Sequence, residues 1–397
     1  MKGKIEEWYD KHYCHGFDAP SYDRVKKLLN LFAKHKADRL LGIGCGKEVL
    51  EAEDCKMVKG KIFDLMKRSI KIRFAGERLF SLLISLPLIR DIYDFAYFRM
   101  LIKPKSQRIP RCIVVETYNV CNLRCIMCPY PVMTRPKTQM AFTLFQKVVE
   151  NSLEVGITTM YLHNYGEPLL DSLLFDRIEF AKSKGMFVGF TSNATLLTSE
   201  KQRQIVESGL DEICFSVDGV TKEVYERIRV GAQFEKVIAS INELIAYKKR
   251  KGSKNPFIRI SCVVQKDNYQ QLAKQSKELY RIFRTADSVK FEVADSRRNE
   301  STLPVKKRGS ASRVYPCAEI WRCLIVLSSG NVVPCCRDYD GVLTLGSLNE
   351  QSIEEIWNSE NFTKIRQLHL NREGDKIELC KDCPFIYKYG AIEWLYI

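Results

Sequence analysis

The fold is decided by the segment Ile113-Val114-Val115-Glu116-Thr117-Tyr118-Asn119-Val120-Cys121-Asn122-Leu123-Arg124-Cys125-Ile126-Met127-Cys128-Pro129. Its first five residues predict a short strand, and three cysteines follow directly at the spacing C-x3-C-x2-C. Three thiolates in one short loop can hold three irons of a cubane cluster. The fourth iron would then lack a protein ligand and stay open to a small molecule, which is what inner-sphere chemistry needs.

Beyond this segment, short apolar runs alternate with helical patterns. This alternation predicts βα units around a parallel sheet, and the fold class is therefore α/β, a partial (β/α)6 TIM-like barrel. In such a barrel the chemistry lies on the loops after the strands. The predicted strands are 113–117, 159–163, 187–191, 212–217, 257–264 and 288–293, and the predicted helices are 143–154, 171–184, 199–208, 235–250 and 269–283.

The cysteine loop resembles the cluster loop of the radical S-adenosylmethionine (radical SAM) superfamily, although Met127 stands where that family often has an aromatic residue. Gly166-Glu167-Pro168 follows the second strand and resembles the family's segment that holds the methionyl amino group. Asn193 and Ser216 follow or end the next two strands, in segments similar to those that contact the rest of the cofactor. Each motif alone is also compatible with a turn or a helix cap.

This resemblance implies a [4Fe–4S] cluster on Cys121, Cys125 and Cys128, with S-adenosylmethionine bound at the open iron. One electron from a ferredoxin or a flavodoxin would split the cofactor and release a 5′-deoxyadenosyl radical, which abstracts hydrogen from the substrate. The substrate class stays open between a peptide or protein, a sugar and a cofactor precursor. The sequence does not identify a catalytic acid or base.

A second group of cysteines lies near the end of the sequence, at Cys317, Cys335, Cys380 and Cys383. Together with an expected hairpin at Gly330-Asn331, they resemble the auxiliary-cluster extensions called SPASM and twitch domains. The resemblance implies a second [4Fe–4S] cluster on these four thiolates. Cys336 could replace Cys335, Cys323 is a further candidate, and a four-cysteine zinc site fits the spacing as well.

These features divide the chain into four parts. Residues 1–110 form an N-terminal extension, 111–295 a radical SAM core, 296–314 a polar linker and 315–397 a SPASM- or twitch-like domain. Within the extension, Gly42-Ile43-Gly44-Cys45-Gly46 resembles the opening of a class I methyltransferase. The space before the core is too short for the rest of such a fold, so this motif is expected to be an inactive remnant.

Composition limits the class of protein. Fifteen cysteines in tight clusters, with a polar Met1–Asp10, indicate metal binding in a reducing compartment, and therefore a cytoplasmic protein. The net charge of +15 is concentrated in 56–110, which has thirteen Lys and Arg against four Asp and Glu. That segment could contact an anionic membrane surface. The alternative functions are a non-catalytic iron–sulfur protein and a zinc-binding nucleic-acid module. The basic charge lies away from the late cysteines, which argues against nucleic acid as a partner.

Overall fold

The computed structural model describes residues 109–293, 314–381 and 383–387. The methyltransferase-like motif, the basic segment up to residue 108 and the linker up to residue 313 lie outside the described residues. Within the described part of the chain, no helix is both long enough and apolar enough to cross a bilayer.

All six predicted strands form, and they line up in sequence order in one parallel array. Each strand ends within two residues of its predicted end. The strands are β1 (Cys112–Val115), β2 (Thr159–Tyr161), β3 (Phe187–Ser192), β4 (Glu212–Ser216), β5 (Phe257–Val264) and β6 (Ser288–Val293).

The five predicted helices connect these strands, and a sixth helix, α4, was not predicted. Its sequence, Lys222 to Ile228, is short and largely polar, so that it carries little of the periodic signal on which helix prediction depends. The helices are α1 (Phe142–Glu154), α2 (Leu174–Ser183), α3 (Ser199–Glu207), α4 (Lys222–Ile228), α5 (Phe234–Arg250) and α6 (Tyr269–Ile282).

The two faces of this sheet differ in chemistry because side chains alternate along each strand. One face carries apolar side chains that are almost completely buried, such as Phe190, Phe215 and Ile260. The other face carries Thr191, Cys214, Ser216, Lys290 and Glu292, which are all partly exposed. A partial barrel needs its outer face covered by helices, and the apolar face fits that role. The polar face is therefore the inner surface of the barrel.

The sheet continues into the C-terminal region, which the sequence did not indicate. Strand β7 (Cys323–Val326) pairs in parallel with β1, so that Cys112 lies opposite Cys323 and Val115 opposite Val326. Strands β8 (Asn331–Val333) and β9 (Gly346–Ser347) then add antiparallel pairs and complete the order β6-β5-β4-β3-β2-β1-β7-β8-β9.

The predicted hairpin at Gly330-Asn331 joins β7 to β8. Gly330 has φ of +90°, which a residue with a side chain rarely adopts, and this explains the glycine at the turn. After β9 come α7 (Ile353–Trp357), α8 (Glu360–Leu370), α9 (Glu378–Lys381) and α10 (Pro384–Tyr387). A capping box formed by Ser352 and Glu355 starts α7.

Candidate active site

The loop with the first three cysteines is held from both sides by backbone hydrogen bonds. On one side, the amide of Glu167 donates to the carbonyl of Val120 at 2.8 Å. On the other, the amides of Arg124 and Ile126 donate to the carbonyls of Val230 and Ile228 at 3.0 and 3.1 Å. Helix α4, which ends at Ile228, therefore helps to fix the position of the cysteine loop.

Gly166 is required where the Gly-Glu-Pro turn meets this loop. Its φ is +136°, and a Cβ atom at this position would lie 2.2 Å from the carbonyl oxygen of Tyr118. Any other residue would push the turn away from the loop. The structure thus places the Gly166–Pro168 turn directly beside the segment that leads into Cys121.

The three thiols influence one another and lie in a partly desolvated place. Burial raises the pKa of Cys121 to about 12, and the neighbouring thiolates of Cys125 and Cys128 add to the rise. Iron binding would have to displace these protons, because metal ligands bind as thiolates. The donors are three thiols from one loop, and this set fits three corners of a [4Fe–4S] cluster.

Arg229 supplies positive charge at this loop and was not identified from the sequence. Its Nη1 lies 3.7 Å from the sulfur of Cys125, and its Nε donates to Asp218 at 2.6 Å. Asp218 is completely buried and also accepts a hydrogen bond from the amide of Val263. Burial raises the pKa of Cys125, and the Arg229 guanidinium opposes that rise. Arg229 thus favours the anionic form of this cysteine.

The carboxylate of Glu167 is occupied by protein donors. It is buried and accepts hydrogen bonds from the Ser192 hydroxyl at 2.7 Å, the Asn193 amide at 2.8 Å and the Leu169 amide at 3.1 Å. The carboxylate therefore ties the turn to the end of β3. The carbonyls of Glu167 and Pro168 accept one backbone hydrogen bond each, from Leu170 and Asp171 at 2.9 Å. Because a carbonyl oxygen has two lone pairs, each can also receive an ammonium group.

Asn193 and Ser216 both lie at the cysteine end of the barrel. The side-chain amide of Asn193 donates to Asn122 Oδ1 at 3.0 Å and lies 4.0 Å from the sulfur of Cys121. It does not cap helix α3, because Thr198 does so. Ser216 ends β4 on the inner face and is partly exposed, as is Met127 in the loop. Their assignment to the cofactor stays a prediction.

The structure brings the four late cysteines together. Burial raises the pKa of Cys317, and the thiolates of Cys383 and Cys335 raise it further. Burial likewise raises the pKa of Cys335, with contributions from its neighbour Cys336 and from Cys380 and Cys383. Cys335 therefore lies near three of the predicted ligands, Cys317, Cys380 and Cys383. The backbone carbonyl of its neighbour Cys336 accepts a hydrogen bond from Tyr165.

Cys323 lies in another place. Its sulfur is 2.7 Å from that of Cys112 across the β1–β7 pair, and both residues are buried. A ligand role for Cys323 would require it to leave this partner. Cys323 is therefore a poor candidate for the second site.

His369 is a residue of the second site that the sequence did not indicate. It is fully buried on α8, its Nδ1 accepts the amide hydrogen of Cys317 at 3.3 Å, and its Nε2 lies 3.6 Å from the sulfur of Cys380. Burial lowers its pKa to about 4, so the ring is neutral at neutral pH. A single histidine outside a metal-binding motif gives no sequence signal, and only the fold shows its position.

Two protein-family models match the chain. Residues 115–270 match the radical SAM superfamily, and residues 317–384 match SPASM, an iron–sulfur cluster-binding domain. The first range contains the three-cysteine loop, and the second begins at Cys317 and includes all four late cysteines. The radical SAM domain implies a [4Fe–4S] cluster and S-adenosylmethionine, and the SPASM domain implies auxiliary iron–sulfur binding.

Several curated relatives resemble the chain over most of their length. A tungsten-containing aldehyde ferredoxin oxidoreductase cofactor-modifying protein from Pyrococcus furiosus is 24% identical, over 68% of this chain and 86% of the relative. An S-adenosyl-L-methionine-dependent 2-deoxy-scyllo-inosamine dehydrogenase from Niallia circulans is 25% identical, over 68% and 91%. An AdoMet-dependent heme synthase from Methanosarcina barkeri is 26% identical, over 65% and 85%. These relatives are catalytic proteins that act on different kinds of molecule.

Solved structures share the fold. Streptococcus suis SuiB bound to the precursor peptide SuiA aligns with a TM-score of 0.53 at 12% identity, over 86% of this chain and 80% of that one. Native anSMEcpe with bound AdoMet aligns with a TM-score of 0.52 at 19% identity, over 71% and 89%. At these identities the likeness concerns the fold alone, and it agrees with the predicted partial barrel.

Proposed function

The chain is a radical SAM enzyme with a SPASM domain, and we propose that it abstracts hydrogen from a polar substrate held on the inner face of its barrel. The cluster and S-adenosylmethionine supply the 5′-deoxyadenosyl radical when bound. Cys121, Cys125 and Cys128 would hold that cluster. The observation that carries the proposal is the direct contact between the cysteine loop and the Gly-Glu-Pro turn.

The protein's own part in the reaction would be to bind and orient the two reactants. The backbone carbonyls of the Gly166–Pro168 turn would receive the methionyl ammonium group, since the carboxylate of Glu167 is already engaged. Asn193, whose backbone amide donates to Glu167, would orient the cofactor from the same side of the loop as this turn. These roles would place the reacting carbon above the inner face of the sheet.

The inner face favours a polar substrate. It presents Ser216, the Lys290–Glu292 pair at 3.3 Å and, deeper in the barrel, the Arg259–Glu212 pair at 2.9 Å. Such groups bind hydroxyl, amine or amide groups and would be costly to desolvate against an apolar ligand. Sugars, peptides and polar cofactor precursors all fit this surface. Glu292 lies near the end of β6 and is a candidate to accept a proton from the substrate.

An external reductant is needed to start the reaction. We propose a one-electron donor protein of the ferredoxin or flavodoxin type. The late cysteines would hold an auxiliary [4Fe–4S] cluster that accepts an electron from the substrate radical or ligates the substrate. The basic segment 56–110 would guide the chain to an anionic surface, and neutralising Lys67, Arg68, Lys71 and Arg73 tests this through liposome binding.

The central test is reductive cleavage of S-adenosylmethionine. Anaerobically reconstituted protein is incubated with dithionite and S-adenosylmethionine, and 5′-deoxyadenosine and methionine are quantified by chromatography. The intact chain should form both products in equal amounts. The Cys121→Ala/Cys125→Ala/Cys128→Ala variant should form neither, although it keeps the late cysteines.

A matched control separates cofactor chemistry from general damage. Cys262→Ala removes a buried cysteine of β5 that is outside both cysteine groups, and it should retain cleavage. Reconstituted wild-type protein that contains iron but forms no 5′-deoxyadenosine would overturn the proposed function.

A further inference from the structure

Glu116 is a buried carboxylate between the two cysteine groups. It directly follows β1, five residues before Cys121, and is only 1% exposed. Its Oε1 accepts hydrogen bonds from the amide and hydroxyl of Ser328 in the C-terminal region, at 3.3 and 3.2 Å. Its Oε2 accepts from the amide of Tyr165 at 3.2 Å. One side chain thus contacts two distant parts of the chain.

Arg135 completes this centre. Its two terminal nitrogens form a forked ion pair with the two oxygens of Glu116, both at 2.5 Å. Its Nε donates to the carbonyl of Tyr339 at 2.5 Å. The amide of the adjacent Thr134 donates to Asp340 at 2.8 Å. The segment just after Cys128 is therefore bound to the segment just after Cys335.

Tyr165 joins the two cysteine loops. It is connected to the first loop through Glu167, two residues further along, whose amide donates to the carbonyl of Val120. Its hydroxyl donates to the carbonyl of Cys336 at 2.6 Å, one residue from Cys335. Its ring packs edge-on against Tyr339, with 6.0 Å between the centroids.

We propose that Glu116, Arg135 and Tyr165 form a positioning centre that fixes the late cysteine loop onto the radical SAM loop and thereby maintains the auxiliary cluster site. This inference rests on the proposed function, since it assumes that the late cysteines hold a cluster. It goes beyond that function by assigning support of the second site to residues of the first domain.

The arrangement differs from an ordinary buried ion pair. Asp171 and Arg177 form a pair that is at least as buried, with both side chains fully inaccessible and 3.0 Å between Arg177 Nε and Asp171 Oδ2. Their hydrogen bonds reach Gln139, Leu173 and Met140, all within the core domain. Asp171 therefore offers a matched control, because its loss disturbs the core without touching residues 328–340.

The test uses the full chain in the Cys121/Cys125/Cys128→Ala background, in which only the late site can bind a cluster. Glu116→Gln, Arg135→Lys and Tyr165→Phe are compared with Asp171→Asn and Tyr247→Phe, which removes a surface hydroxyl bonded to Glu207. The readouts are iron retained after gel filtration, the electron paramagnetic resonance spectrum of the reduced cluster, and thermal unfolding.

Tyr165→Phe decides the outcome because it removes one hydroxyl and keeps the ring. We expect it to alter the spectrum and lower the cluster's binding constant about two- to tenfold, the range of one hydrogen bond, with an unfolding temperature like that of Tyr247→Phe. Glu116→Gln should lose more iron than Asp171→Asn at equal loss of stability. Arg135→Lys should also lose iron, since lysine cannot form the forked ion pair with Glu116.

Two outcomes would refute different parts of the proposal. If the background chain contains about four irons and Tyr165→Phe and Glu116→Gln match their controls in iron and spectrum, the positioning centre is refuted and the proposed function stands. If the background chain binds no iron, the auxiliary cluster is refuted, and the positioning centre fails with it. Cleavage of S-adenosylmethionine by the chain with all its cysteines tests the proposed function separately.

Discussion

At the scale of single residues, His369 places a ring nitrogen beside a thiol of the proposed auxiliary cluster. The amide of Cys317 is a donor, so Nδ1 of the neutral ring must accept, and the ring proton resides on Nε2, next to the sulfur of Cys380. A hydrogen bond to a cluster sulfur favours the reduced state. We predict that His369→Phe lowers the midpoint potential of the auxiliary cluster by roughly 40 mV, since one hydrogen bond contributes about 1 kcal/mol and 59 mV corresponds to a tenfold change. Potentiometric titration of His369→Phe in the Cys121/Cys125/Cys128→Ala background, compared with that background alone, measures this shift.

The control for this prediction is His163→Phe. His163 Nδ1 accepts the amide hydrogen of Thr191 at 3.2 Å on the inner face of the barrel. Its replacement should leave the auxiliary potential unchanged. An equal shift in both variants would mean that the effect is not transmitted through the Cys380 sulfur.

Arg229 supports the first cluster through its charge. We predict that Arg229→Met lowers the iron content of the first site and destabilises the fold by about 3–5 kcal/mol, because it leaves the buried Asp218 without its partner. The double variant Arg229→Met/Asp218→Asn should recover most of the stability without the charge beside Cys125. Iron analysis and denaturant unfolding separate the two effects. If the double variant regains full iron content, the charge of Arg229 has no role at the cluster.

At the scale of elements, strand β7 belongs to the barrel sheet as much as to the C-terminal region. Without it, the fully buried strand β1 would become an edge with unpaired backbone groups. We predict that a chain ending at residue 313 aggregates during purification, as measured by size-exclusion chromatography with light scattering. The sheet, rather than the cluster alone, would then hold the two regions together.

A variant that keeps β7 separates these causes. Cys317→Ser/Cys380→Ser/Cys383→Ser removes three thiols of the second site and leaves the β1–β7 pairing in place. It should elute as a well-folded species. Aggregation of this variant to the same extent would show that loss of the cluster, not of the strand, exposes the edge.

The elements also show what sequence reasoning can reach. The strands were predictable because β5 is a short, largely apolar run and β6 alternates apolar with polar residues, each next to a helical pattern. The cysteine loop was predictable because its ligands are close together in sequence. Helix α4 was not predicted because its sequence is short and largely polar. The β1–β7 pairing was not predicted because it joins residues more than 200 positions apart. Arg229 and Glu116 were missed for the same reason, since their partners come together only in the folded chain.

At the scale of the whole molecule, the two cysteine groups share one sheet but use separate thiols. The positioning centre of Glu116, Arg135 and Tyr165 connects them. Its members contact Ser328 and the backbone of Cys336 and Tyr339 rather than any thiol. Replacing the late thiols should therefore leave the positioning centre, and with it the first loop, intact. Each site should therefore bind its own cluster without the other, although the two cysteine loops are held together in the fold.

This separability gives a quantitative prediction for iron and acid-labile sulfide after anaerobic reconstitution. The wild-type chain should contain about eight irons, and each of the Cys121/Cys125/Cys128→Ala and Cys317/Cys335/Cys380/Cys383→Ser variants about four, because each cluster has four. Only the second variant should still cleave S-adenosylmethionine. Four irons in the wild type, with zinc alongside and none left in the first variant, would make the late site a structural zinc centre and confine iron chemistry to the first loop.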